Sequence, residues 1–145
     1  MMKRHFLWLV LYLMVMLTAA APAHAELVVI ASAGSRIGPL SRQEIINIYM
    51  GRYCKLKNDV IAMPLDIDMD SPERRNFYLH LLDKTLAEVN AYWARLVFSG
   101  KTAAPEELAS QREILDRVAR DPNAIGYVDR RNLNAHVKVV YEFKD

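Results

Sequence analysis

Hydrophobic and polar positions along the chain switch period several times, and the switches divide it into short elements. Glu26 to Ser32 reads E-L-V-V-I-A-S, a β-branched run with the length and composition of a strand buried on both faces. Ala33-Gly34-Ser35-Arg36-Ile37-Gly38-Pro39 breaks it with two glycines and a proline. Ser41-x-x-Glu44 is a capping box, in which the serine oxygen and the glutamate carboxylate satisfy each other's orphan backbone donors, so a helix is expected to about Met50 and a stop at Gly51. Asp59 to Ile67 is the next extended segment, and Pro64 within it argues for an edge position or a bend.

Ser71 followed by Pro72 marks a second helix start, since serine favours the N-cap and proline the first helical position. Phe77, Tyr78, Leu81 and Leu82 then form one apolar face. Thr85-x-x-Glu88 opens a third helix with Val89, Tyr92, Trp93, Leu96 and Val97 on one side, ended by Gly100. Lys101 to Ala109 has the composition of a surface loop. Ser110-x-x-Glu113 opens a fourth helix through Ile114, Leu115 and Val118, terminated at Asp121-Pro122-Asn123. Ile125 to Val128 and Val137 to Tyr141 are two further strands. The order β, α, β, α, α, α, β, β predicts a layered α/β domain with a largely parallel sheet flanked by helices.

Upstream of these elements the pattern differs. Lys3, Arg4 and His5 precede an unbroken apolar run from Phe6 to Leu17, followed by Pro22 and Ala23-His24-Ala25. This is the basic, apolar and small-residue order of a cleavable secretory signal peptide over residues 1–25, and the run is shorter than the roughly 20 apolar residues a membrane span needs. The working domain is then residues 26–145, with a periplasmic location expected. Without Lys3 and Arg4 the 19 basic residues fall to 17 against 17 acidic ones, so nothing in the charge points to nucleic acid. Cys54 is the single cysteine and cannot form an internal disulfide; it is either buried or open to intermolecular pairing.

Three stretches resemble a known family. Leu40-Ser41-Arg42-Gln43-Glu44-Ile45-Ile46-Asn47-Ile48-Tyr49-Met50-Gly51-Arg52 resembles the "L-S/T-x-x-E-I-x-x-I-F/Y-x-G-K/R" segment of phosphate-type periplasmic solute-binding proteins of ABC transporters. Tyr92 to Gly100 is similar to the segment before the last helix in their short relatives, and Pro122-Asn123-Ala124-Ile125-Gly126-Tyr127-Val128 to their "P-G-A-I-G-Y-V" turn and strand. Full-length members have two α/β lobes hinged around a cleft and need over twice this length. The resemblance therefore implies a single periplasmic-binding-protein-like lobe. It further implies a phosphate-like small oxyanion as ligand and a membrane transporter as partner.

The family grips its oxyanion with hydroxyls, helix N-terminal N–H groups and an arginine. Two places here carry such residues. Ser32, Ser35 and Arg36 occupy the turn after the first strand, which is otherwise a plain glycine-rich turn. Ser71 and Arg74 fall where the larger family has "G-S-G-T-R", although Ser71 serves equally as a helix cap, Pro72 removes a donor and Glu73 replaces a hydroxyl with a carboxylate. Asp66, Asp68, Asp70 and Glu73 crowd the same segment and oppose an anion by roughly the 1 kcal/mol that a helix dipole offers. Their alternation is also how some loops hold calcium, but the glycine and glutamate of an EF-hand are replaced by Ser71 and Phe77.

No G-x-S-x-G, H-E-x-x-H, C-x-x-C or Walker sequence occurs, and His80 and His136 have no nucleophile or ligand spacing around them, so neither enzyme activity, a metal nor a cofactor is expected. Against the binding module stands an interaction or sensor-input protein that keeps the fold and has lost the cleft. A lone lobe supplies half a clamshell, and a homodimer would rebuild the other half.

Overall fold

The computed structural model describes residues 25–144, so all but the last residue of the expected signal segment lies outside the described residues. Leu27–Ser32 forms β1, buried along nearly its whole length as its apolar run predicts. The helices begin where their caps predict: α1 is Arg42–Tyr49, α2 Pro72–Leu82, α3 Leu86–Phe98 and α4 Gln111–Arg120. Ser41 and Thr85 close reciprocal capping boxes with Glu44 and Glu88. Ser110 caps α4 by accepting from the Glu113 N–H, while the Glu113 carboxylate accepts from Ala109 one residue upstream. Gly51 and Gly100 end their helices at φ 66° and 70°, the left-handed region open to glycine.

β2 spans Met63–Ile67, β4 Ala124–Asp129 and β5 Val137–Glu142, with a 3-10 turn at Arg130–Asn132 between the last two. The expected loop from Lys101 to Ala109 contains a short strand, β3 at Glu106–Leu108, which the polar Glu106 and Glu107 hide from a composition reading. Backbone pairing with β2 makes it a strand, and it lies at the sheet edge, where charged residues remain solvated. Pro64 is not on an edge strand: it sits where β2 changes partner, pairing β4 at Met63 and Pro64 and β3 from Leu65 onward. The missing N–H falls at that switch.

The sheet order is β3-β2-β4-β1-β5. β2, β3 and β4 are mutually parallel, and β1 is antiparallel to both β4 and β5, so four of the five strands run one way and β1 runs against them. The sheet is thus largely parallel with helices on both faces. Gly126 faces α4, where a Cβ would stand 2.4 Å from Ile114 Cγ2. Its neighbour Tyr127 points the other way and stacks on Phe77 of α2 with ring centroids 3.9 Å apart, while Tyr49 of α1 meets the same ring edge-on at 4.7 Å. Val97, expected on the buried side of α3, is instead half exposed, because the core takes only Val89 and Trp93 fully. Trp93 lies over Gly51.

The Gly126 contact yields a stability test. Gly126→Ala forces its methyl into Ile114 and should cost about 1–3 kcal/mol by overpacking, read as a lowered urea midpoint; a midpoint equal to wild type would show that the helix is not seated this close to the sheet.

Candidate functional site at the carboxyl edge of the sheet

β2, β3 and β4 end together, and α2 and α4 begin just beyond them. Beneath this edge Asp66 is 2% exposed, between the buried Leu65 and Ile67 of β2. Its carboxylate accepts on one oxygen from the Tyr127 hydroxyl and from the Ile67 N–H at 2.9 Å. The other oxygen accepts from Arg74 Nε at 3.0 Å and from the Tyr78 hydroxyl at 2.7 Å. All four acceptor sites of the carboxylate are thereby used. Arg74, 3% exposed, spends Nη1 on Asn90 Oδ1 at 2.9 Å and the Met69 carbonyl at 3.3 Å, and its guanidinium lies over the Tyr78 ring.

Electrostatics follow from this burial. Desolvation disfavours the Arg74 charge, and the Asp66 carboxylate more than offsets it, so the guanidinium pKa is raised. Tyr49, Tyr78 and Tyr127 all have raised phenol pKa values, first from burial and then from the Asp66 charge.

A second set of bonds closes the edge from above. Gln111, the first residue of α4, donates from Nε2 to Glu73 Oε1 at 3.2 Å. Its Oε1 accepts from the Asp129 N–H at 2.7 Å and from Asn132 Nδ2 at 2.9 Å. One side chain thus ties the starts of α2 and α4 to the end of β4. Ser71 accepts from the Arg74 N–H at 3.2 Å as the N-cap of α2. Asp68 and Asp70 are exposed here, and Glu107 of β3 pairs in register with Asp66. Among the described residues no group of three or more histidine, cysteine, aspartate or glutamate side chains is placed to hold a metal ion.

The five donors singled out from sequence fall into two places. Ser71 and Arg74 lie at the carboxyl edge. Because β1 runs against its neighbours, Ser32, Ser35 and Arg36 emerge at the other end of the sheet, beside the start of β4 (Ala31 pairs with Ile125), about one strand length or roughly 16 Å away. There Ser35 is buried, donating to the Pro122 carbonyl at 2.5 Å and accepting from the Ile37 N–H at 3.0 Å. Arg36 donates to the Asn58 carbonyl at 3.3 Å. Ser32 is half-buried at the end of β1. The two groups therefore do not converge on one ligand. Tyr78, Tyr127, Asn90 and Gln111 were missed as partners of this edge; the available signal was an aspartate inside the apolar run P-L-D-I. Cys54 is half-buried, and burial pushes its thiol up.

No family model and no curated protein matches the sequence. Solved structures do. The chain superposes on an ABC-type phosphate transport receptor from Vibrio cholerae with a TM-score of 0.62 at 15% identity, over 79% of this chain and 45% of that one. It superposes with a TM-score of 0.63 at 18% identity on a protein from Clostridium perfringens assigned as a phosphate ABC transporter substrate-binding protein and solved with bound phosphate, over 79% and 44% of the two chains. The chain spans less than half the length of each. These likenesses show the fold, a periplasmic-binding-protein-like α/β lobe.

The buried phenols set an alkaline limit. An unfolded tyrosine loses its proton near about pH 10, whereas the three buried ones hold theirs to higher pH. Their contribution is therefore complete below about pH 10 and declines as pH rises beyond it. We expect the urea midpoint to drop steeply above about pH 10, and the combination of Tyr78→Phe and Tyr127→Phe to flatten that slope; an unchanged slope in the double variant would contradict the assignment.

Proposed function

We propose that this chain is an exported, single-lobe solute-binding domain that recognises a small phosphate-like oxyanion and serves a membrane transporter of the ABC type, acting by binding and not by catalysis. The observation that carries this reading is the convergence of two helix N-termini, those of α2 and α4, at the carboxyl edge of the parallel strands, held together by Gln111 and Glu73. Open α/β sheets take ligands at this edge, and first-turn N–H groups aimed outward favour an anion. The likeness to lobes of phosphate receptors supports the same choice.

In this reading the Ser71 hydroxyl faces the ion together with the first-turn N–H groups that the caps leave over, those of Glu73 in α2 and of Gln111 and Arg112 in α4. Arg74 is a positioning residue that holds the start of α2 through Asp66, while Ser32, Ser35 and Arg36 shape the opposite edge. Asp68, Asp70 and Glu107 repel an anion, so binding is weak. Burial, opposed by Arg74 and reinforced by Asp66 and Asp68, holds the Glu107 carboxyl above its ordinary value. Glu107 therefore loses its charge early as pH falls, and the edge becomes more receptive.

Sulfate separates this effect from protonation of the ligand, because it remains a dianion throughout. The form recovered from the periplasmic fraction should have a mass beginning at Glu26. Calorimetry on that form should show saturable heat with millimolar phosphate and sulfate, sulfate binding severalfold tighter near pH 5 than at pH 7.5, and a severalfold loss in Ser71→Ala. An absence of heat with phosphate, sulfate and phosphonate at either pH would overturn the anion reading.

One observation favours a second reading, an interaction or sensor-input protein. The only arginine of the G-S-G-T-R-like segment that matches the family's position, Arg74, is committed to Asp66 and Asn90. A membrane-protein partner captured on the domain equally well by wild type and by a Ser71→Ala, Arg36→Ala double variant would favour this reading.

A further inference from the structure

Helix α3 turns Val89 and Trp93 inward and an opposite stripe outward. That stripe is Ala87, Ala91, Ala94 and Phe98, at i, i+4, i+7 and i+11, all exposed. Phe98 is 95% exposed, more than any other large apolar side chain among the described residues. Along the flank of the stripe that carries Glu88 and Arg95 runs a groove of about 570 Å³, whose floor includes Met50, Leu82, Val89 and Tyr92. Tyr92 is fixed there by donating to the Met50 carbonyl at 2.6 Å. One helix therefore presents both an aromatic knob and a hole with an apolar floor and a charged rim of Arg52, Lys84, Glu88 and Arg95, with about 16 Å between Phe98 and Ala87.

A surface with knob and hole on the same element is complementary to itself. We propose that the occupant of this face is a second copy of the chain, its α3 packed antiparallel about a two-fold axis passing between Tyr92 and Trp93. With a rise of about 1.5 Å per residue, that axis sets Phe98 of one copy over Ala87 of the other, and Ala94 over Ala91. The alanines let the helices approach closely, and each Phe98 reaches the partner's groove. The same register leaves Arg95 and the partner's Glu88 about 3 Å apart along the helix direction, within reach of an ion pair. Glu88 already has one oxygen in the Thr85 capping box, and its other pairs with Lys84 at 3.6 Å on a half-exposed side chain that can take a second cation. Every contact occurs twice, as a two-fold interface requires.

The aromatic anchors carry the energy and the flanking charges fix the orientation. A single helix pair lies at the small end of specific interfaces, so the dimer dissociates on dilution. This arrangement is independent of whether the carboxyl edge binds an anion.

Sedimentation velocity over a concentration series tests it. The protein should move from monomer to dimer as concentration rises. Phe98→Ser, which alters a side chain with no core contact, should remain monomeric with an unchanged circular dichroism spectrum, and Arg95→Glu should shift the midpoint severalfold upward. In a Cys54→Ala background, Ala91→Cys and Ala94→Cys chains mixed and oxidised should cross-link severalfold faster than either alone. A wild-type chain that is monomeric at every concentration, a dimer unaffected by Phe98→Ser, or cross-linking no faster in the mixture would each overturn the proposal.

Discussion

The burial of one carboxylate organises this domain. Asp66 lies within the sheet, and an ionised group there is tolerated only with its charge balanced and its lone pairs filled. Arg74 supplies the charge, and Tyr78, Tyr127 and the Ile67 N–H supply the remaining donors. Those partners come from β2, α2 and β4, so a single side chain fixes the position of α2 against two strands. The aromatic stack of Tyr49, Phe77 and Tyr127 packs beside it. Arg74 passes the constraint on to α3 through Asn90.

The same commitment shapes function. An arginine bound to an internal carboxylate does not stand free at the rim, so the rim of this lobe differs in character from a cluster of cationic donors. The two helix starts there carry a serine hydroxyl, several acids and the exposed Arg75 and Arg112. Under the proposed anion reading, such a rim would discriminate by hydrogen-bond geometry and bind with modest affinity. The outward face of α3, where we propose that two copies meet, is a separate surface from this rim.

Much of the fold was legible because it is written in local chemistry. Ser41, Ser71, Thr85 and Ser110 announce their helices, Gly51 and Gly100 end two of them, and the L-V-V-I-A run is a strand in any context. The short β3 was hidden because Glu106-Glu107-Leu108 carries no alternation and is held by its neighbour. The candidate site was less legible for a topological reason. Nothing in the residues of β1 tells its direction, and that direction sends Ser32, Ser35 and Arg36 away from Ser71 and Arg74. In the sequence Asp66 stands as one acid among four in a crowded segment, because a sequence shows its spacing to Asp68 and Asp70 but not the tyrosines that arrive from 12 and 61 residues downstream.

The central claim is that Asp66 and Arg74 act as a unit. A double-mutant cycle measures it directly, using urea stabilities of Asp66→Asn, Arg74→Met and the two combined. Either single change strands a buried charge and should cost about 3–5 kcal/mol, while the double variant should cost at least about 2 kcal/mol less than the sum. Costs that add to within about 0.5 kcal/mol would show that the two residues are independent, and the account of a lobe organised around one buried ion pair would be wrong.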